Sequence, residues 1–255
     1  MARRMLPRRL GHEEEASLVE HLTELRHRLL ICIAAIVPAF AIAYVFHERL
    51  IQRLKDLLPE GTPLVTLGVT EPFTTSLKVS FYAALSIVLP IVLWQVWAFL
   101  APAVGEETQR VLGVFVVFST LLFVAGLSFC YTIVLPKALE FLVDYDSNLY
   151  EEQIRASYYL SFVALTLFAF GIAFQMPIFI LALVRLGVLS SDRLRRNRRL
   201  GYVLMLTFAI LLPTVDPVSL VLEVAPLLAL FEISIWLAVL MERRWERSSA
   251  EAEAL

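Results

Sequence analysis

Six long runs of apolar residues constrain this chain more than any other feature of its sequence. They cover residues 29–46, 77–100, 111–135, 158–184, 200–212 and 218–241. Because a hydrocarbon core of about 30 Å is crossed by about 20 apolar residues in a helix, the runs predict an all-α membrane bundle of six transmembrane helices. The fifth run ends early, at Pro213, and the sixth contains Glu223, Pro226 and Glu232. We therefore expect the fifth and sixth helices to be short.

The composition agrees with a membrane protein. The chain of 255 residues is 59% hydrophobic and 18% charged, against about 45–50% and about 25% in water-soluble domains. Its net charge of −2 argues against a nucleic-acid-binding protein, whose domain would be strongly basic. Cys32 and Cys130 both lie in apolar runs, and no Cys/His spacing indicates a metal site. We expect no cofactor.

The basic residues predict the orientation. Sixteen of the 22 lysines and arginines lie in the N-terminal segment, in the second-to-third and fourth-to-fifth connections and in the tail, and six lie in the alternate connections. Since cytoplasmic segments are enriched in Lys and Arg, both termini should be cytoplasmic. Arg49, Arg53 and Lys55, in the first outside connection, oppose this rule.

The sequence indicates a single membrane domain over residues 1–255. We assign residues 1–28 to a cytoplasmic N-terminal segment, 29–241 to the six-helix bundle and 242–255 to a cytoplasmic tail. In the first outside segment, residues 47–76, the stretch HERLIQRLKDLL places four leucines on one helical stripe. This segment should therefore lie along the membrane interface rather than cross it.

Ionisable and amide side chains inside apolar spans are costly, which makes each a candidate functional group. They are Gln95, Gln175, Asp216, Glu223 and Glu232. The Gln175 amide either bonds backbone that nearby Pro177 leaves without a donor or faces a cavity. For Gln95 we expect a helix–helix hydrogen bond, and for Asp216 a solvated turn or a cap on the sixth helix. Glu223 and Glu232 either face a lumen or reach the membrane surface.

The segment before the first run should be helical. Ser17 and Glu20 form a capping box, so the helix should begin nearby and continue into the first span. Glu24 and Arg28 lie four residues apart in the favoured order, and a local ion pair worth about 0.2–0.5 kcal/mol is the simplest role for them. The same helix carries an apolar stripe with the spacing of a buried face, made of Leu18, Leu22, Leu25 and Leu29.

This segment also resembles a known signature. His21-Leu22-Thr23-Glu24-Leu25-Arg26-His27-Arg28-Leu29 is similar to the HLxELRxRL signature of the TatC family, the multispanning core subunits of the bacterial twin-arginine protein translocase. Four further motifs follow in the family's order and spacing: Glu71-Pro72-Phe73, Trp97-Ala98-Phe99-Leu100-Ala101-Pro102, Phe170-Gly171-Ile172-Ala173-Phe174-Gln175-Met176-Pro177 and Leu212-Pro213-Thr214-Val215-Asp216. Five motifs in register make a strong resemblance.

The resemblance implies that glutamates at the cytoplasmic face bind the paired arginines of a signal peptide. Guanidinium offers a fork of donors that suits carboxylates, so two arginines call for at least two acidic partners. By motif match the first is Glu24. The family's loop glutamate aligns with Thr108 here, one residue after Glu107, and we expect Glu107 to serve, with Glu106 in reserve. The candidate signal-peptide-binding residues are Glu24, Glu107, Glu106, Arg26 and Phe99.

Within the membrane, the resemblance implies a glove-like bundle with a groove that holds a polar residue of the fourth helix. That position is a glutamate in some relatives and Gln175 here. Glutamine keeps the hydrogen bonding but cannot carry charge, so proton binding at this position cannot drive transport. The candidate intramembrane polar or partner-contact residues are Gln175, Asp216, Pro213 and Thr214.

The implied function is that of a receptor and organising subunit for the export of folded proteins. Its partners would be single-span subunits resembling TatA and TatB, signal peptides of folded cargo, the lipid bilayer and further copies of this chain, in the bacterial cytoplasmic membrane. The alternative is a small-solute secondary transporter, although residues 1–135 and 136–255 have no matching pattern of broken helices. The chain has neither an HExxH nor a GxSxG motif and no pair of intramembrane aspartates, so we expect no enzymatic activity.

Overall fold

A computed structural model describes residues 18–59, 62–100, 112–145, 153–185, 187–212 and 216–253. Most of them are helical. The helices, numbered in chain order, are α1 (Leu18–Val45), α2 (His47–Lys55), α3 (Glu71–Leu100), α4 (Leu112–Phe129), α5 (Leu135–Asp144), α6 (Ala156–Ala173), α7 (Met176–Arg185), α8 (Ser191–Arg196), α9 (Arg198–Ile210) and α10 (Pro217–Glu253). The strands are β1 (Leu64–Val65) and β2 (Ile154–Arg155).

Five helical segments of the described part are long and apolar enough to cross a membrane. They are Leu22–Val45, Glu71–Phe99, Gly113–Asp144, Ala156–Arg185 and Pro217–Glu242. These segments correspond to five of the six predicted spans. The fifth predicted span forms α9, whose 13 residues extend for about 20 Å. The prediction that this helix is short is confirmed.

The prediction of a short sixth helix is wrong. Helix α10 has 37 residues and continues through Pro226 and beyond position 241. Its two glutamates do not interrupt it, because the surrounding protein accommodates them. Glu223 is buried, and Glu232 accepts a hydrogen bond from the Tyr202 hydroxyl and forms a 3.4 Å ion pair with Arg198, both on α9.

The third span is longer than its apolar run. A π-helical turn, Cys130–Val134, joins α4 to α5, and the helix continues to Asp144 instead of ending near 135. Pro136 lies in the first turn of α5. Proline cannot donate the backbone hydrogen bond of a regular helix, and a π turn is one of the local adjustments by which a long helix absorbs such a defect.

The amphipathic helix α2 packs on one end of the bundle. Leu54 and Leu58 are buried, and Leu50 and Leu57 pack against the same core. The hydroxyls of Tyr131 and Tyr159, from the third and fourth spans, donate to the backbone carbonyls of Arg53 and Leu54 at 3.0 and 2.6 Å. With only nine residues, α2 does not cross a membrane, as predicted, and its leucine stripe contacts protein.

The connections that bear α2 and β2 are joined to each other. Leu64 of β1 pairs in parallel with Ile154 of β2, and Val65 pairs with Arg155. The sequence predicted an all-α fold, and among the described residues this pair is the departure from it.

Gly171 lets the third and fourth spans approach each other closely. The fourth span breaks between Ala173 and Met176, and just before the break Gly171 lies against the Phe123 ring of α4. A Cβ on Gly171 would be 2.3 Å from that ring. The glycine therefore fixes the spacing of α4 and α6 beside the break.

Candidate functional site

Glu24 and Arg28 form the predicted pair on α1. The Arg28 Nε donates to Glu24 Oε1 at 3.0 Å, and its Nη2 contacts the same oxygen. The Glu24 side chain is 37% exposed and that of Arg28 is 21% exposed. Both bonds use Oε1, so the second carboxylate oxygen makes no hydrogen bond with the part of the chain that the structure describes.

Arg28 also joins α1 to the end of α3. Its Nη1 donates to Gln95 Oε1 at 3.2 Å and its Nη2 to the backbone carbonyl of Ala98, also at 3.2 Å. This confirms the helix–helix role predicted for Gln95. A cation at the carbonyl end of a helix is also favoured by the helix dipole. Glu24 is therefore held beside the last turn of α3, separated from it by one guanidinium group.

The leucine stripe of α1 does not face the core, contrary to the sequence prediction. Leu22, Leu25 and Leu29 are 63%, 45% and 57% exposed. The polar face carrying Glu24 and Arg28 is the one directed at the bundle. The usual rule is reversed because a membrane helix can place apolar side chains against lipid, whereas its charged groups need protein partners.

Two of the other candidate signal-peptide residues, Arg26 and Phe99, lie in the part of the chain that the structure describes. Arg26 is exposed, and two residues along a helix turn its side chain about 200° away from that of Glu24. Phe99 is half-buried in the last turn of α3. Glu106 and Glu107 lie outside the described residues, in the segment that follows α3.

Gln175 lies in the break between α6 and α7 and is only 3% exposed. Its Nε2 donates to the carbonyl of Ser119 on α4 at 3.0 Å, and the Ser119 hydroxyl in turn accepts from the indole Nε1 of Trp97 at 3.3 Å. The amide therefore links neighbouring helices, instead of bonding the backbone freed by Pro177 or facing an open groove. Its Oε1 is buried without a hydrogen-bond partner among the described residues.

Asp216 caps α10, which was one of the two roles predicted for it. Its Oδ1 accepts from the backbone N–H of Ser219 at 2.7 Å, and its backbone carbonyl accepts from Leu220. Pro213 and Thr214 lie outside the described residues.

The sequence reasoning missed the role of Glu71, which is only 5% exposed. Its Oε1 accepts from the Arg155 Nε at 2.9 Å and from the backbone N–H of Ser157, while its Oε2 accepts from the N–H groups of Leu67 and Gly68. The hydrogen bond to Glu71 raises the pKa of Arg155 above its ordinary value. An acidic residue directly before Pro72, at a helix start, was the available signal.

The comparisons with known proteins decide the family. The model of the family described as Sec-independent protein translocase protein (TatC) matches residues 20–226. The chain belongs to the TatC family. The TatC protein of Escherichia coli K12 is 35% identical over 230 residues, which cover 88% of each chain. That of Aquifex aeolicus is 37% identical over 235 residues, which cover 89% of this chain and 96% of the relative.

A chloroplastic TatC protein of Pisum sativum is 34% identical over 236 residues, or 92% of this chain and 67% of the relative. A crystal structure of the twin-arginine translocase receptor TatC in DDM superposes with a TM-score of 0.81 at 36% identity, covering 86% of this chain and 99% of that one. This chain is therefore a TatC subunit of the twin-arginine translocase. TatC is a translocase component and not an enzyme. The family match therefore favours the translocase over the alternative function, a small-solute secondary transporter.

Proposed function

We propose that this TatC chain binds twin-arginine signal peptides at the cytoplasmic face of the bacterial inner membrane. Glu24 supplies one carboxylate, and Glu107 or Glu106 supplies the second. The observation that carries the proposal is the position of Glu24, which is partly exposed and fixed by Arg28 at the end of α3. The segment that carries both other acids follows α3 in the sequence.

The local electrostatics explain why one glutamate would not suffice. Arg28 neutralises much of the Glu24 charge, so an incoming pair of arginines meets little net attraction from Glu24 alone. The second oxygen of Glu24, which bonds none of the described residues, can accept from a guanidinium, while an acid in the segment after α3 supplies the remaining negative charge. A planar guanidinium engages carboxylates in a way that a lysine ammonium cannot reproduce.

The proposal also includes the orientation of the chain in the membrane. Helix α9, the fifth predicted span, would cross a locally thinned bilayer and bring the number of crossings to six. Six crossings put both termini on one side, and the basic residues assign that side to the cytoplasm. The chain would then recruit TatA-like and TatB-like single-span subunits and further copies of itself. A partner helix would meet the short span at the connection between α9 and α10, which includes three of the candidate contacts, Pro213, Thr214 and Asp216. The fourth candidate, Gln175, would become available to a partner only if the helices around it separated.

Site-specific photo-crosslinking tests the peptide site. A photoreactive residue at position 27 or 109 leaves Glu24 and Glu107 in place while lying within three residues of one of them. It should crosslink to a twin-arginine signal peptide in membranes and lose the crosslink when the peptide carries Lys-Lys. The same probe at position 195, an exposed site on α8, should give no crosslink with either peptide. Crosslinking at 27 and 109 that ignores the substitution would contradict the proposal.

A further inference from the structure

Lys78 is a charged residue that the sequence analysis did not consider among the polar groups of the spans. It lies on α3, seven residues after Glu71, or about 10 Å along the helix. Its side chain is exposed, and no described residue forms a salt bridge or a hydrogen bond with it. A lysine this close to the end of a candidate span can extend its ammonium to the lipid headgroups.

A groove of about 500 Å³ lies beside this lysine. Its walls are apolar side chains from three spans, among them Phe40 of α1, Phe81 of α3 and Phe162 of α6. Phe81 is 46% exposed, so the groove opens on the surface of the bundle. Its volume is within the range of about 300–1,000 Å³ typical of ligand sites.

The groove also contains a polar atom without a partner. Ser161 lines it, and the Ser161 hydroxyl is buried with no hydrogen bond to any described residue. Tyr158, another lining residue, lies under the Arg155 guanidinium, 5.1 Å from it. The Glu71 carboxylate, seven residues before Lys78 on α3, is already paired with Arg155 and does not neutralise Lys78.

We propose that this groove binds one anionic phospholipid. The headgroup phosphate lies against the Lys78 ammonium, and one acyl chain lies along Phe40, Phe81 and Phe162. The Ser161 hydroxyl, buried in the groove wall, would donate to the phosphate only after turning toward the groove. Basic pockets between membrane helices are suited to phospholipid headgroups, and lysine binds phosphate as a point charge. A partner helix would fill the apolar part but would leave Lys78 unpaired unless it brought its own carboxylate.

The purified full-length protein can be tested for this preference by native mass spectrometry. Phosphatidylglycerol and phosphatidylcholine with identical acyl chains are added in turn to the protein in detergent. One basic residue is worth about fivefold in lipid affinity, so phosphatidylglycerol should bind about fivefold more tightly. The preference should disappear in Lys78→Gln, persist in Lys78→Arg and persist in Lys137→Gln, which removes an equal charge from a different, acid-lined pocket.

Equal binding of the two lipids, or a preference that survives Lys78→Gln, would overturn the proposal. A photoreactive residue at position 162 in native membranes identifies the occupant directly. A lipid adduct that is lost in Lys78→Gln supports the site, whereas a protein adduct would assign the groove to a partner helix instead. Neither experiment depends on signal-peptide binding, so its failure would leave the proposed function untouched.

Discussion

The Nη1 of Arg28 lies 3.2 Å from the Oε1 of Gln95, across the contact between α1 and α3. The same guanidinium holds Glu24. The Gln95 amide, 67 residues from Arg28 in the sequence, therefore helps to orient the Glu24 carboxylate proposed to bind the signal peptide. Substitutions can separate the stabilising role of Gln95 from the binding role of Glu24.

Replacing Gln95 should loosen α1. Gln95→Leu removes the acceptor for Arg28 Nη1, and the loss of a hydrogen bond to a partly exposed charged group should cost about 1 kcal/mol of stability. Thermal unfolding in detergent measures this cost. Gln95→Glu keeps an acceptor at the same place and should unfold close to the unmodified protein; an equal loss in both variants would show that the hydrogen bond is not the cause.

Removing the Glu24 carboxylate should abolish peptide recognition without unfolding the chain. In Glu24→Ala, the Arg28 bonds to Gln95 and the Ala98 carbonyl still join α1 to α3. Only a local i,i+4 pair is lost, at a cost of about 0.2–0.5 kcal/mol, so the melting temperature should change little. Affinity for a twin-arginine peptide should fall at least tenfold, since charge-assisted hydrogen bonds contribute about 1.5–3 kcal/mol. Binding to the detergent-solubilised protein can be followed by fluorescence anisotropy, with a Lys-Lys peptide as the control. An unchanged affinity would assign Glu24 a purely local role.

The buried Glu71 carboxylate should stabilise the junction between the two connections that carry β1 and β2. Glu71→Gln replaces one accepting oxygen by an NH₂ group, which would then face N–H donors, so the melting temperature should fall. Glu140→Gln removes an exposed charge from the α5 surface and should have almost no effect. Crosslinking of cysteines introduced at positions 64 and 154, which pair across the two strands and leave Arg155 in place, would reveal whether the strand pair separates. A Glu71→Gln protein as stable as the Glu140→Gln protein would rule out this role.

Gly171 should not tolerate a side chain. A methyl group would lie 2.3 Å from the Phe123 ring, and overpacking of this kind costs about 1–3 kcal/mol. Gly113→Ala is the matched control, because its methyl group would meet no described residue of another element within 4 Å and alanine is favoured over glycine in a helix by about 1 kcal/mol. Chemical unfolding should therefore move in opposite directions for the two variants. Restored stability in a Gly171→Ala, Phe123→Leu double variant would assign the effect to this contact.

Asp216 should contribute as an N-cap. Asp216→Ala removes the acceptor for the Ser219 N–H and should lower stability by about 1 kcal/mol. Asparagine caps nearly as well as aspartate, so Asp216→Asn should retain most of it. A loss in protein export by both variants, with stability intact in the asparagine form, would instead point to a role for the charge in partner contact.

Side-chain partners explain where the sequence predictions succeeded and failed. The Glu24–Arg28 pair and the Asp216 cap are local, and their residues lie four and three positions apart. Spacing along a helix was therefore enough to predict the pair and to give the cap as one of two roles for Asp216. The Glu71–Arg155 pair joins residues 84 positions apart, and no sequence spacing indicates such a contact. The length of α10 was missed for the same reason, since the partners of Glu232 are on α9.

The sequence by itself determined that the chain is a helical membrane protein, which segments are apolar enough to be candidate spans, that the fifth is short and which family motifs it carries. These properties follow from local hydropathy and residue identity, because each membrane helix satisfies its own backbone hydrogen bonds. Only the tertiary structure decided which face of α1 meets the bundle, that Gln175 is buried against Ser119 and that Lys78 adjoins an apolar groove. Those outcomes depend on which side chains of distant segments pack together, and an apolar stripe fits lipid and protein equally well.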